Sequence, residues 1–130
     1  MTKEEHIKYW SSQVDEDFDC AEVLFIAKHY AQALFWAHLS LEKLCKALWI
    51  QNSEENVPPF VHNLLRLVSS SGIVMSEEDL QFISEMNVFQ IKGRYPDYAQ
   101  SLEKTVTEEI SSEYLLKTKN LILCLQKKLQ

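Results

Sequence analysis

Only two glycines, Gly72 and Gly93, occur in this chain of 130 residues, and they stand too far apart to write a Gly-x-Gly-x-x-Gly dinucleotide turn or a Walker phosphate loop. No Gly-x-Ser-x-Gly nucleophile turn is present either. The four histidines, His6, His29, His38 and His62, lack the i, i+4 pairing of a zinc-protease helix, and no Cys-x-x-Cys pair offers a structural zinc site. No metal and no cofactor are therefore expected. Cysteine is scarce and odd in number: Cys20, Cys45 and Cys124 are widely spaced among apolar helical residues, which predicts buried free thiols rather than disulfides. Adjacent carboxylates such as Glu54-Glu55 and Glu108-Glu109 have no apolar pocket in the sequence around them that would tune one for acid catalysis.

Long apolar runs are also missing, none approaching the roughly 18 residues that cross a bilayer, so no membrane segment is expected. The N-terminus, Met1-Thr2-Lys3-Glu4-Glu5-His6, is polar and leads into no signal-like stretch, which points to the cytoplasm. A formal charge of −6 argues against coating nucleic acid by general electrostatics, because that mode depends on clustered Lys and Arg. The acidity is concentrated in residues 1–65, which carry five basic and ten acidic groups.

What remains is helical. Hydrophobic residues make up 46% of the chain, enough for one core, and the pattern predicts a single all-α domain over residues 1–130 with no internal repeat. The expected architecture is an up-and-down bundle of four long helices and one short one. The first helix opens at a capping box, Thr2-x-x-Glu5, and carries Ile7, Trp10, Val14, Phe18, Ala21, Leu24 and Phe25 at three- and four-residue steps. Its other side, with Asp15, Glu16, Asp19 and Glu22, is most simply a solvated face.

The second helix, about Tyr30 to Gln51, is apolar nearly all round, as a central helix should be. At about 100° per residue, Tyr30, Ala33, Leu34, Ala37, Leu41, Leu44, Cys45 and Leu48 form its core arc. The opposite arc mixes Phe35, Trp36, Leu39 and Trp49 with His38, Glu42, Lys43 and Lys46. That mixture suits either an interface or a second packing face with snorkelling lysines. A Pro58-Pro59 loop leads to a short helix from Phe60 to about Ser70. A further helix starts at Ser76-x-x-Asp79, and the last opens at a capping box, Thr105-x-x-Glu108. The lysines near its end, Lys117, Lys119, Lys127 and Lys128, complement the helix dipole.

Between the last two helices the chain reads Ile91-Lys92-Gly93-Arg94-Tyr95-Pro96-Asp97-Tyr98, with one of only two arginines in the protein. Arg94 has the fork that grips a phosphate or carboxylate, Lys92 adds a point charge, and Tyr95 offers a stacking face. The same residues also suit a tight turn pinned by an Arg94–Asp97 pair.

Taken together, four blocks resemble the HEPN domain (higher-eukaryote and prokaryote nucleotide-binding) family. They are Asp19-Cys20-Ala21-Glu22-Val23-Leu24, then Tyr30-Ala31-Gln32-Ala33-Leu34-Phe35-Trp36-Ala37-His38 running into Leu41-Glu42-Lys43-Leu44-Cys45-Lys46-Ala47-Leu48, then Val61-His62-Asn63-Leu64-Leu65-Arg66-Leu67, and finally Gly93-Arg94-Tyr95-Pro96-Asp97. The resemblance implies a homodimeric helical bundle that binds a nucleotide or RNA beside a small nucleotidyltransferase. Arg94, Tyr95, Asp97 and Lys92 would form the ligand site with Lys43 and Lys46, His62 would order the loop joining two helices, and Phe35, Trp36, Leu39 and Trp49 would face a partner chain. Many relatives are metal-independent ribonucleases in which an arginine and a histidine are separated by roughly four to six residues. Here the positions after Arg66 hold Ser71, Gly72 and Ile73, and those after Arg94 hold Ala99, Gln100 and Ser101. The chain therefore looks like the non-nuclease branch that supplies substrate-binding subunits. A ribonuclease with an atypical, toxin-like site and an antitoxin-like or scaffolding interaction module are the alternatives.

Overall fold

A computed structural model describes residues 1–92 and 104–130. Among the described residues there are six α-helices and no strand: α1 (Lys3–Ser12), α2 (Val14–Ile26), α3 (Tyr30–Gln51), α4 (Leu64–Ser71), α5 (Glu77–Lys92) and α6 (Glu108–Gln126). The all-helical bundle expected from the sequence is the fold observed.

The first helix is not continuous. Its capping box forms as expected, with Thr2 Oγ1 accepting from the Glu5 amide at 3.1 Å and the Glu5 carboxylate accepting from the Thr2 amide at 3.0 Å. The chain then breaks at Gln13, giving α1 and α2. Ser11 and Ser12 turn their hydroxyls back onto the carbonyls of Lys8 and Tyr9, and such back-bonding loosens and bends a helix. The break matters for packing, because it frees Gln13 to accept from Lys43 Nζ at 2.5 Å.

Helix α3 packs against every other helix described, which is why it is apolar on more than one side. Leu34, Leu41, Leu44, Leu48 and Ile50 are all at most 1% exposed. The arc that sequence periodicity placed opposite the core is covered as well: His38, Glu42 and Lys46 are 1%, 2% and 6% exposed. Helices α1 and α4 and the segment before α4 lie over that side, so charges that an isolated helix would give to solvent become interior groups here.

The remaining boundaries follow their caps. Helix α4 starts at Leu64 rather than Phe60, because Asn63 is the residue whose side chain accepts from a first-turn amide, that of Arg66, at 3.1 Å. It ends on Gly72 with φ +78°, a left-handed conformation that favours glycine. Ser76 Oγ accepts from the Asp79 amide at 3.1 Å and opens α5 as expected. Helix α6 is capped by Thr107, which accepts from Ile110 N–H at 3.2 Å, and not by Thr105. The C-terminal end is fastened by Gln51, whose amide donates to the Lys128 carbonyl and accepts from the Gln130 amide, both at 2.8 Å.

The cysteines divide three ways, with Cys45 buried, Cys20 half-buried and Cys124 exposed. The expectation of three buried thiols therefore fails at Cys124, which lies on the outer side of α6. Burial, and after it the charge of Glu42, pushes the Cys45 thiol up to about 12, so it stays protonated at neutral pH. A thiol reagent added to native protein at pH 8 should label Cys124 rapidly and leave Cys45 unmodified until denaturant is added, as read by mass spectrometry of the labelled peptides.

Candidate functional site

Glu42 is the centre of a polar cluster inside the bundle. His38, Glu42 and Lys46 stand at four-residue steps on α3 and so share one stripe. Lys46 Nζ donates to Glu42 Oε2 at 3.1 Å and lies 5.0 Å from the centre of the Trp10 ring on α1. The ring face adds a cation–π contact to a largely desolvated ammonium.

His62 reaches the same carboxylate from the extended segment before α4. Its Nδ1 is 3.1 Å from Glu42 Oε2, and its side chain is 49% exposed. A carboxylate at Nδ1 makes that nitrogen the one that carries a proton and donates, which fixes the ring's orientation. The cluster thus presents an oriented imidazole to the outside.

His38 faces the other carboxylate oxygen at 3.7 Å, beyond hydrogen-bonding distance, and Glu42 Oε1 makes no hydrogen bond among the described residues. On its far side, His38 Nε2 is 3.4 Å from Asn87 Oδ1 on α5. That oxygen also accepts from the Leu64 amide at 2.8 Å, while Asn87 Nδ2 donates to Asn63 Oδ1 at 3.1 Å. One side chain of α5 thereby ties the start of α4 to α3. It also holds the segment carrying His62 in register with Glu42.

Of the site residues expected from the sequence, Lys46 and His62 are brought together on Glu42. Lys43 is engaged elsewhere: its ammonium lies 2.6 Å from Asp17 Oδ2, a close ion pair rather than an aligned hydrogen bond, and donates to Gln13. Arg94, Tyr95 and Asp97 lie outside the described residues, and Lys92 is the last residue of α5. Phe35, Trp36, Leu39 and Trp49 are each half-buried. Trp36 packs on the core, and Trp49 Nε1 donates to Ser70 Oγ of α4 at 3.1 Å.

Sequence reading named His38 only as a candidate for the ribonuclease alternative, did not see Glu42 as the hub, and gave no role to Asn63 or Asn87. The four-residue ladder on α3 was the available signal, and it has an ordinary helix-stabilising explanation. Among the described residues, no group of three or more His, Cys, Asp or Glu is placed to hold a metal ion. No helix described is long and apolar enough to cross a membrane.

These features define a class: an all-helical bundle whose central helix buries a charged cluster and turns one histidine outward. The HEPN domain model matches residues 7–129, and the chain belongs to the HEPN domain family, a family of nucleotide- and RNA-related modules. Among solved structures, that of TT1696 from Thermus thermophilus superposes with a TM-score of 0.80 at 19% identity, covering 95% of this chain and 98% of that one. At that identity the likeness establishes the shared fold. No curated protein matches the chain.

Proposed function

We propose that this chain is a non-catalytic HEPN module that binds a nucleotide or RNA and works in the cytoplasm, as a homodimer, with a small nucleotidyltransferase partner. The observation that carries the reading is His62, half-exposed and anchored on the buried Glu42–Lys46 pair. It stands where α3, α4 and α5 meet, and α5 leads from there into the Lys92–Asp97 stretch. The ligand's phosphate would be gripped by Arg94 and Lys92, its base would stack on Tyr95, and His62 would supply an oriented hydrogen-bonding edge. Absence of the arginine–histidine spacing typical of nuclease relatives supports a binding role.

The test is a thermal melt against nucleoside triphosphates and short RNAs, since a ligand specific for the native state raises the midpoint. The expected result is an upward shift with at least one ligand that Arg94→Ala removes, while the ligand-free midpoint of the variant stays within a few degrees of the wild type. Loss of ligand-free stability without a selective binding defect would instead assign Arg94 to the fold.

Two histidines converging on one carboxylate favour a second reading, acid–base ribonuclease chemistry with an atypical site. RNA cleavage in the presence of a chelator, lost in both His62→Ala and Arg94→Ala, would establish it.

A further inference from the structure

Helices α2 and α6 lie side by side and antiparallel. Gln126 Nε2 donates to Asp15 Oδ1 at 2.9 Å at one end, and toward the other Phe25 and Ile26 of α2 share one hollow with Ser112, Leu115 and Leu116 of α6. Between them runs a trough. One stretch of about 250 Å³ is lined by Phe18, Phe25, Ile26, Leu115 and Leu116. A second of about 160 Å³ shares Phe18, Glu22 and Lys119 with the first and continues to Ile122 and Leu123.

The rim of this trough is unusually apolar for a face turned to water. Ile26 is 79% exposed, Leu116 60% and Leu123 51%. A bundle helix ordinarily gives charge to solvent and apolar groups to the core, and an exposed apolar cluster bordered by charge is the mark of an interaction surface.

The charges say what fits. Helix α2 carries Asp15, Glu16, Asp19 and Glu22 and no basic residue, whereas Lys119 stands on the α6 wall. Among the described residues, neither Asp19, Glu22 nor Lys119 takes part in an ion pair. Yet Glu22 and Lys119 line both stretches and therefore sit at one level along the helices, as do Ile26 and Leu116 in the first stretch.

From this we infer that the α2–α6 trough is the surface on which a second copy of the chain docks, about a two-fold axis running along the two helices. Such an axis lays α2 of each copy over α6 of the other and keeps every residue at its own level. Glu22 and Asp19 of one copy then meet Lys119 of the other, twice over, and Ile26 covers Leu116. A surface that carries the acid on one wall and the base on the other, at matching height, is complementary to itself. The inference rests on the homodimer in the proposed function but moves its interface away from Phe35, Trp36, Leu39 and Trp49. Glu42, Lys46 and His62 do not line the trough, so each copy keeps its own site open.

The decisive experiment uses Glu22→Lys and Lys119→Glu, alone and mixed, with mass in solution measured by light scattering. Each variant alone sets like charges against each other in both halves of its homodimer, and its dissociation constant should rise at least about tenfold. In an equimolar mixture the introduced lysine faces the introduced glutamate in one half, and Lys119 faces Glu22 in the other. The mixture should therefore recover the wild-type dimer, which no effect confined within one chain would produce. Leu116→Asp, at a position already exposed, should dissociate the dimer with an unchanged helical melt.

A wild-type chain that is monomeric at every concentration would overturn the homodimer reading itself. Single variants that stay dimeric, or a mixture that fails to recover, would overturn this surface alone. Dissociation by Trp49→Ala in that case would return the interface to α3.

Discussion

Glu42→Ala is expected to cost the fold about 3–5 kcal/mol, far more than an exposed charge would. The carboxylate is 3% exposed at its side chain, and the Lys46 ammonium bound to it is 7% exposed. Removing the acid strands that ammonium in a region where the Trp10 ring is a weak substitute for a counter-ion, and His62 loses the partner that fixes its ring orientation. The penalty lies mainly in the charge left behind. The paired change Glu42→Leu with Lys46→Met should therefore recover most of the loss, because it removes both desolvation costs together. Urea unfolding monitored by circular dichroism checks this: the midpoint should fall in the single variant and return in the double, with the slope unchanged. A single variant that loses less than about 1 kcal/mol would show that water already reaches the pair.

The double variant also separates scaffold from site. It keeps His62 in the chain but takes away the group that orients it. If the imidazole contributes to ligand binding through its fixed orientation, the double variant should fold nearly as well as the wild type and bind less tightly.

Which features of the fold were legible in the sequence depends on the range of the interaction behind each. Those set within one or two turns could be read: the Thr2–Glu5 capping box, the Ser76 cap and the full span of α3 all stand where local patterning placed them. Errors arose where neighbouring residues offered equivalent chemistry. Thr105 and Thr107 both precede acidic residues, and only the backbone decides which hydroxyl meets a free amide. The break at Gln13 escaped notice because the apolar spacing from Ile7 to Phe25 continues through it, and two serines folding back on their carbonyls are invisible to periodicity.

The candidate site was legible only in part, for a physical reason. Periodicity reports which residues share a face of one helix, and it left the arc of Glu42 and Lys46 as either an interface or a second packing face. It cannot report that α1 and the segment before α4 close over that face and make the pair interior. The partners brought by tertiary structure, His62 and Asn87, lie 20 and 23 residues from the groups they bind, Glu42 and the Leu64 amide. Nothing in either local sequence marks them as belonging together.

The central position of α3 sets the second large effect. Leu44 is fully buried in the main cluster, on the helix that every other described helix touches. Leu44→Ala should destabilise by about 2–5 kcal/mol, toward the upper end because a helix packed against five others has little freedom to shift and close the void. For a domain of this size that lowers the midpoint by roughly 10–20 °C. Leu44→Met, which nearly conserves volume, should cost less than about 1.5 kcal/mol. Leu44 belongs to the apolar arc of α3 and not to the Glu42 stripe, so its loss should lower stability without the recovery that the Glu42–Lys46 double change shows. Comparing the two sets by calorimetry distinguishes a core held by packing from a core held by a buried ion pair. An α3 that tolerates Leu44→Ala within about 1 kcal/mol would mean that the central helix is less tightly enclosed than its burial indicates.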